Sequence, residues 1–384
     1  MGRDFLFTSE SVTEGHPDKI CDQIADAILD SLIAQDPASR VAVECLATTG
    51  SVHVAGEVST TGFADVQRIV RSTLEEIGYT NPDFGMNCHD AGVWVSIHEQ
   101  SREIAEGVLG AGGRARGAGD QGIMFGFACD ETPSLMPLPI TLAHGLCRRM
   151  AEVRKAGLIP FLGPDGKSQV TVEYRDGRPV RAAAVVIAQQ HLKGLVESRL
   201  RQEIIEKVIK PVCGPYFNGS TRVLVNASGS FTVGGPEADT GVTGRKIVAD
   251  TYGGAARHGG GAISGKDPTK VDRSGSYTAR WIAKNVVAAG LAARCEVQLA
   301  YAIGQPDPLS ISVDTFGTGT VAEARIGELA RRHFPLEPAR IIAALDLLRP
   351  IYRRTAAYGH FGREEPEFTW ERTDKADALR KDAG

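Results

Sequence analysis

Several things are missing from this chain, and each absence excludes something. Its seven cysteines (Cys21, Cys45, Cys88, Cys129, Cys147, Cys213 and Cys295) are odd in number, scattered, and form no C-x-x-C pair. That pattern argues against a disulfide framework or a thiolate zinc site, and predicts small buried thiols in a reducing cytoplasm. No run of about 18 apolar residues occurs, and the opening Met-Gly-Arg-Asp-Phe lacks the charged-then-apolar build of a signal peptide. The expectation is a cytoplasmic protein with no membrane partner. Excess positive charge is missing too. A formal net charge of −4 supplies no general attraction for nucleic acid, so any basic patch must be local. Ser-His-Asp elbow, H-E-x-x-H and kinase signatures are likewise absent.

What is present is ordinary in bulk. The 384 residues suffice for two or three domains, and 42% hydrophobic with 23% charged residues is a usual globular balance. Glycine is the outlier at 44 residues, clustered at 107–122, 228–244 and 253–265 beside charged residues. Such clusters read as backbone approaching a ligand, as tight turns, or as flexible linker.

Apolar residues at Ile20, Ile24, Ala27, Ile28 and Leu32 predict a helix from Pro17 to Gln35. Proline suits its first turn, so His16, Asp18 and Lys19 crowd a helix N-terminus, where backbone N–H groups favour phosphate. Simple capping of a surface helix is the other reading. Arg40–Thr48 and Val52–Thr60 alternate as a hairpin that carries Glu44 and Glu57 among apolar neighbours. Further expected helices lie near 63–77, 137–156, 196–209, 276–293, 321–333 and 337–348. Further expected strands lie near 91–98, 169–174, 180–188, 221–226, 230–234, 246–252, 295–303 and 309–315. Residues 101–122 read as a mobile loop, the tail from Lys375 as ragged, and no internal repeat is visible. Many hairpins alternating with helices predict an α+β fold of mixed, mostly antiparallel sheets rather than a Rossmann sheet.

Two glycine motifs mislead. Gly117-Ala-Gly119-Asp-Gln-Gly122 matches G-x-G-x-x-G but precedes a strand-like stretch, the reverse of a dinucleotide fingerprint. Gly260–Lys266 matches G-x-x-x-x-G-K, yet Asp267 stands where a P-loop needs Ser or Thr, and Pro268 delays the helix. What remains is a set of glycine-framed cations, Lys167, Arg245, Lys246, Lys266 and Lys270, alongside Asp18, Asp120, Asp239 and Asp272. Asp165-Gly166-Lys167 reads as a turn before a strand, and Gly244-Arg245-Lys246 as the entry to one. This set suits a polyphosphate with a metal, by default ATP with magnesium.

Together, Phe7–Lys19, Gly117–Gly122, Gly241–Lys246, Asp250–Gly254, His258–Arg273 and Thr355–Arg363 closely resemble the S-adenosylmethionine synthetase (methionine adenosyltransferase) family. The resemblance spans nearly the whole chain. It implies three pseudo-equivalent, intertwined two-layer α/β domains, over 1–102, 116–233 and 234–372, with a gating loop at 100–115. It implies active sites shared between two subunits, and a homotetramer. The implied reaction is in-line attack of methionine sulfur on ATP C5′, expelling triphosphate that is then cleaved to pyrophosphate and phosphate. A thioether is already a neutral nucleophile, so positioning and charge stabilisation are required rather than a base.

By matching position, His16, Lys167, Arg245, Lys266 and Lys270 are the catalytic set. ATP contacts fall to His16, Asp120, Asp165, Lys167, Ser230, Phe231, Asp239, Arg245, Lys246, Ala262 and Lys266. Methionine falls to Glu57, Gln100, Asp239 and Lys270. Asp18 and Asp272 match ligands of two Mg²⁺ ions, and Glu44 a ligand of one K⁺. The chain departs from the family pattern at Ser230, where arginine is usual, at Ile263 in place of an aromatic, and at Gln100-Ser-Arg-Glu103. A catalytically weak regulatory homologue, or a triphosphatase or phosphotransferase using the same cradle, are the alternatives.

Overall fold

In the computed structural model, which describes residues 4–99 and 117–384, strands and helices recur in one order. The strands are β1 (Phe5–Val12), β2 (Arg40–Thr48), β3 (Ser51–Ser59), β4 (Gly92–His98), β5 (Gly122–Cys129) and β6 (Leu162–Arg175). They continue as β7 (Arg178–His191), β8 (Arg222–Val225), β9 (Gly241–Val242), β10 (Arg294–Tyr301) and β11 (Ser310–Asp314). The longer helices are α1 (Pro17–Ile33), α2 (Val66–Ile77), α3 (Leu138–Lys155), α4 (Glu197–Ile204), α5 (Val271–Ala288), α6 (Glu323–His333), α7 (Pro338–Ala344) and α8 (Ala376–Ala383).

Three open sheets result, in the orders β4-β3-β2-β9, β1-β6-β7-β8 and β11-β10-β5. One long helix covers one face of each: α1 lies on β2, α3 on β1 and β6, and α5 on β5 and β10. Alternation explains the pairing. Val41, Val43, Cys45 and Ala47 point into the core with Val52 and Val54, where they meet Ile20, Ile24 and Ile28 of α1. The intervening residues, Glu44 and Leu46 on β2 and Glu57 on β3, face outward. Where helix and sheet approach most closely the strand needs glycine: a Cβ on Gly126 would lie 1.9 Å from the backbone of Ala279.

Each sheet borrows a strand. β1 leaves the first third of the chain to pair with β6, from Phe5 opposite Tyr174 to Val12 opposite Lys167. β5, which precedes the β6–β7 hairpin in the chain, pairs instead with β10, and β9, which precedes the β10–β11 hairpin, pairs with β2. The exchange is cyclic, which is what intertwining means here. Most pairings are antiparallel; β3 with β4 and β7 with β8 are parallel, each spanning a helix. The α+β expectation therefore holds.

Several local expectations do not. The repeat invisible in the sequence is present as the order strand, long helix, hairpin, helix. The expected strand at 246–252 is instead a short helix, Ile247–Asp250, so Gly244-Arg245-Lys246 enters a helix. Asp165–Lys167 lie within β6 rather than in a turn before it, because that strand starts at Leu162. Residues 230–234 form no strand, and α5 starts five residues ahead of the expected 276. β1 was not anticipated at all. Nor is the tail ragged: α8 buries Leu379 and takes a 2.6 Å hydrogen bond from Arg325 to the Asp382 carbonyl.

Candidate active site

The loop that joins β1 to α1 passes under β6. Thr13 N–H donates to the Gly166 carbonyl at 2.9 Å, and its hydroxyl to the Pro164 carbonyl at 2.8 Å. Gly15 must be glycine, since a Cβ would stand 2.4 Å from the Pro164 oxygen. This seam sets His16, the N-cap of α1, within electrostatic reach of Lys167. His16 Nδ1 accepts the Asp18 N–H at 3.2 Å. An amide can only donate, so Nδ1 is bare and the proton sits on Nε2. Burial, then the Lys246 ammonium, lower the His16 pKa to about 3. At neutral pH it is an uncharged donor.

Asp18 Oδ1 accepts the Val242 N–H at 2.9 Å, while Oδ2 pairs with Lys246, and Arg245 Nε stands 3.8 Å from Oδ1. Burial pushes this carboxyl up, but Lys246 and the Val242 N–H outweigh it and hold Asp18 below the usual carboxylate range. Beside this group, Asp165 Oδ2 accepts the Gly235 N–H at 2.8 Å, which tethers the 230–240 segment. Its Oδ1 is buried without a partner among the described residues. Burial raises its pKa to about 6 against the Gly235 N–H and Lys167, with Asp239 adding to the rise. Phe231 is clamped by His191: its carbonyl accepts the His191 N–H at 2.9 Å, and its own N–H donates to His191 Nε2 at 3.2 Å. Ser230 and Asp239 stand exposed on the same segment.

A second group surrounds the start of α5. Lys266 Nζ is 2.7 Å from Asp272 Oδ2, and Lys270 pairs with Asp267. Asp267 also accepts the Val41 N–H at 2.7 Å, so it is engaged in structure, not free for a metal as a P-loop Ser would be. Gly261 faces the Asp272 carboxylate; a Cβ there would lie 2.1 Å from Oδ1. Ala262 abuts Gly244, whose Cβ would fall 2.3 Å from that of Ala262, so the two lysine-bearing loops touch. Glu44 and Glu57 share the open face of β2 and β3. Desolvation raises the Glu44 pKa against nearby Lys266, with Asp22 and Glu57 adding to the rise. Asp120 is exposed, with Oδ1 taking its neighbour's Gln121 N–H at 2.7 Å. Gln100 and the expected gate at 100–115 lie outside the described residues.

Apart from Asp120, which neither group holds, and Gln100, the sequence-predicted residues fall into two adjoining groups, each built on a helix N-terminus carrying an aspartate held by a loop lysine. A polyphosphate would satisfy the cations, and a divalent ion would take over the carboxylates from the lysines. Magnesium draws on one or two carboxylates and takes its other ligands from phosphate and water, and one aspartate per helix start fits that donor set. Sequence reading missed His191, Asp22, Asp26 and Arg273. The signal for the two aspartates is a repeat of four residues that runs from Asp18 through Asp22 to Asp26.

Comparison with known proteins adds a separate finding. Three family models cover the chain in order: the N-terminal domain of S-adenosylmethionine synthetase over residues 4–102, its central domain over 115–231, and its C-terminal domain over 233–372. The chain is also similar to the S-adenosylmethionine synthase of Desulforudis audaxviator (strain MP104C), at 58% identity across 98% of each chain.

Proposed function

Because the chain belongs to the S-adenosylmethionine synthetase family, we propose that it is a methionine adenosyltransferase, making S-adenosylmethionine from ATP and L-methionine. The observation that carries this reading is the convergence of His16, Asp18, Lys167, Arg245 and Lys246 at the start of α1. A methionine sulfur lone pair forms the bond to C5′ as the C5′–O5′ bond breaks, and the electron pair leaves with the triphosphate. No proton is removed from the nucleophile, which agrees with a site rich in cations and without an activated base.

His16 Nε2–H donates towards the bridging oxygen, where charge develops. Arg245, Lys246, Lys167, Lys266 and Lys270 spread the charge of the triphosphate during transfer and during its later hydrolysis to pyrophosphate and phosphate. Asp165, with its unpartnered buried oxygen, Ser230, Phe231, Asp239, Asp120 and Ala262 hold the nucleotide. Glu57, Gln100, Asp239 and Lys270 hold methionine. Asp18 and Asp272 take two Mg²⁺ ions, which when bound neutralise the triphosphate, and Glu44 takes one K⁺.

Glu44 and Glu57 lie on a sheet face with exposed Leu46, next to a Trp94–His53 stack. That apolar, uncovered face supports self-association into a dimer with shared sites, and from there a homotetramer, with domains over 1–102, 116–233 and 234–372. Among the described residues no helix is long and apolar enough to cross a membrane; we place the enzyme in the cytoplasm, with no nucleic-acid or membrane partner. One incubation with ATP, methionine, Mg²⁺ and K⁺, read by mass spectrometry, tests the reading. A sulfonium product with pyrophosphate and phosphate is expected. Phosphate without sulfonium would make the protein a triphosphatase, and no turnover a regulatory homologue.

A further inference from the structure

The aspartates of α1 recur every four residues, at Asp18, Asp22, Asp26 and Asp30, and so share one face of the helix. Each accepts backbone N–H groups from the chain beyond residue 240. Asp18 takes Val242 at 2.9 Å, Asp22 takes Gly244 at 2.8 Å, and Asp26 takes Gly265 at 2.8 Å. Asp30 takes Tyr352 and Arg353, both at 2.9 Å. Asp22 and Asp26 are completely buried. Buried carboxylates in a row repel one another and are costly without partners, and two cations answer them. Lys19 pairs with Asp22 at 2.8 Å. Arg273 Nη2 donates to both Asp26 oxygens, at 3.0 and 2.8 Å, and the guanidinium lies over the Tyr352 ring at 4.4 Å.

Arg273 has a further contact. Its other guanidinium nitrogen donates to the carbonyl of Lys266 at 2.9 Å. On the opposite side, β2 grips the same loop, with Val43 N–H on the Gly265 carbonyl and Asp267 N–H on the Val41 carbonyl. The anchor points lie next to the functional cations: Gly244 precedes Arg245 and Lys246, and Gly265 precedes Lys266. An apolar stripe could hold these loops against α1, but only directional bonds to backbone N–H groups fix where along the helix they sit.

We propose that Asp22, Asp26 and Arg273 are positioning residues, forming a ladder on α1 that sets the two lysine-bearing loops in register with His16 and Asp18. They touch no substrate. They act through Lys246 and Lys266, whose placement against the triphosphate decides how strongly it is held, and an error of about 1 Å is enough to cost a hundredfold. The inference rests on the function proposed above.

The test compares wild type with Arg273→Lys, which keeps a charge opposite Asp26 but loses the second nitrogen that holds the Lys266 carbonyl. It also uses the double variant Asp26→Leu/Arg273→Met, which removes both buried charges together. Thermal melts report folding, calorimetry with Mg²⁺ and inorganic tripolyphosphate reports the cradle, and steady-state rates separate KM from kcat. Folded variants are expected to bind tripolyphosphate at least tenfold more weakly, with raised KM for ATP and unchanged KM for methionine. A folded variant of either kind with wild-type tripolyphosphate affinity and KM for ATP would overturn the ladder, leaving Asp26 and Arg273 as fold-stabilising only. If the double variant does not fold, Arg273→Lys decides alone. Wild-type protein assayed in parallel keeps the two claims apart. Without sulfonium product from wild type the function fails, whereas wild-type product with unaltered variants sinks only the ladder.

Discussion

Two of the three long helices open alike, and the third does not. α1 begins His16-Pro17-Asp18-Lys19 and α5 begins Lys270-Val271-Asp272-Arg273, so in each the second helical residue is aspartate and the third a buried cation. In each, a lysine from a glycine-framed loop sits on the aspartate, Lys246 on Asp18 and Lys266 on Asp272. α3 stands in the equivalent place over its own sheet but begins Leu138-Pro139-Ile140, wholly buried and apolar. A threefold fold thus carries the proposed site at two of its three long-helix starts. What distinguishes these two starts from the third is the presence of a carboxylate that the helix N-terminus favours and a loop cation answers. Helix and sheet alone do not supply it.

If the two openings are equivalent, removing either carboxylate should be similarly severe. Asp18→Asn and Asp272→Asn are each expected to lower kcat about a hundredfold or more, with melting temperature little changed for Asp272. Near-normal turnover by one of them at saturating Mg²⁺ would break the equivalence and withdraw that residue from the metal.

The same comparison sharpens at the glycines. Gly241 approaches the α1 opening against backbone, with a Cβ 2.2 Å from the Pro17 carbonyl, whereas Gly261 meets only the Asp272 side chain. Gly241→Ala is therefore expected to destabilise by about 1–3 kcal/mol through overpacking that backbone cannot relieve. Gly261→Ala should keep its melting temperature and lose activity, because the carboxylate alone must move. A stability loss at Gly261 matching that at Gly241 would show the α5 opening to be as rigid as that of α1.

How much of this was legible beforehand follows from the same contrast. The α1 opening was readable because helix period, proline and charge coincide within a dozen residues. The α5 opening was misplaced by five residues, since Gly275 and Ser276 weaken the helical signal just where the functional turn begins. β1 was hidden because its partner β6 lies more than 150 residues away, a distance over which local alternation carries no pairing information. The pinning aspartates were passed over for the apolar period beside them. The glycine between Asp165 and Lys167 reads as a turn and so disguises the strand that carries both.

Asp165 adds a property that the α5 opening lacks, a buried carboxyl with one unpartnered oxygen. Its pKa is raised, from 3.8 to about 6, so the folded protein holds a proton that the unfolded chain has released. Its contribution to stability is then full below about pH 4 and lost as pH rises through 6, on the order of 3 kcal/mol. Melts of wild type and Asp165→Asn from pH 4 to 7 should converge at the acid end, and the variant should gain relative stability towards pH 7. A nucleotide donor reaching Oδ1 favours the ionised form, so wild-type affinity for Mg·ATP should rise over the same range while that of the variant stays flatter. Parallel curves for the two proteins would remove Asp165 from both roles.

The smallest expected effect concerns Ser230, which stands exposed where the family usually has arginine. Arg257 is spent on Glu296 at 2.5 Å and Asp314 at 3.5 Å, whereas Arg222 lies exposed on β8, opposite Ala184. If the phosphates lack one cation here, Ser230→Arg restores a charge-assisted contact. An exposed position limits its worth to about 1 kcal/mol, or roughly fivefold in affinity. KM for ATP should fall by that factor, with KM for methionine unchanged, and the gain should shrink as salt screens the new charge. The outcome also bears on the two helix starts, because Ser230 belongs to the segment tethered by Asp165 beside α1. An unchanged KM for ATP would mean that the cations already gathered by α1 and α5 suffice, and that the arginine was never missed.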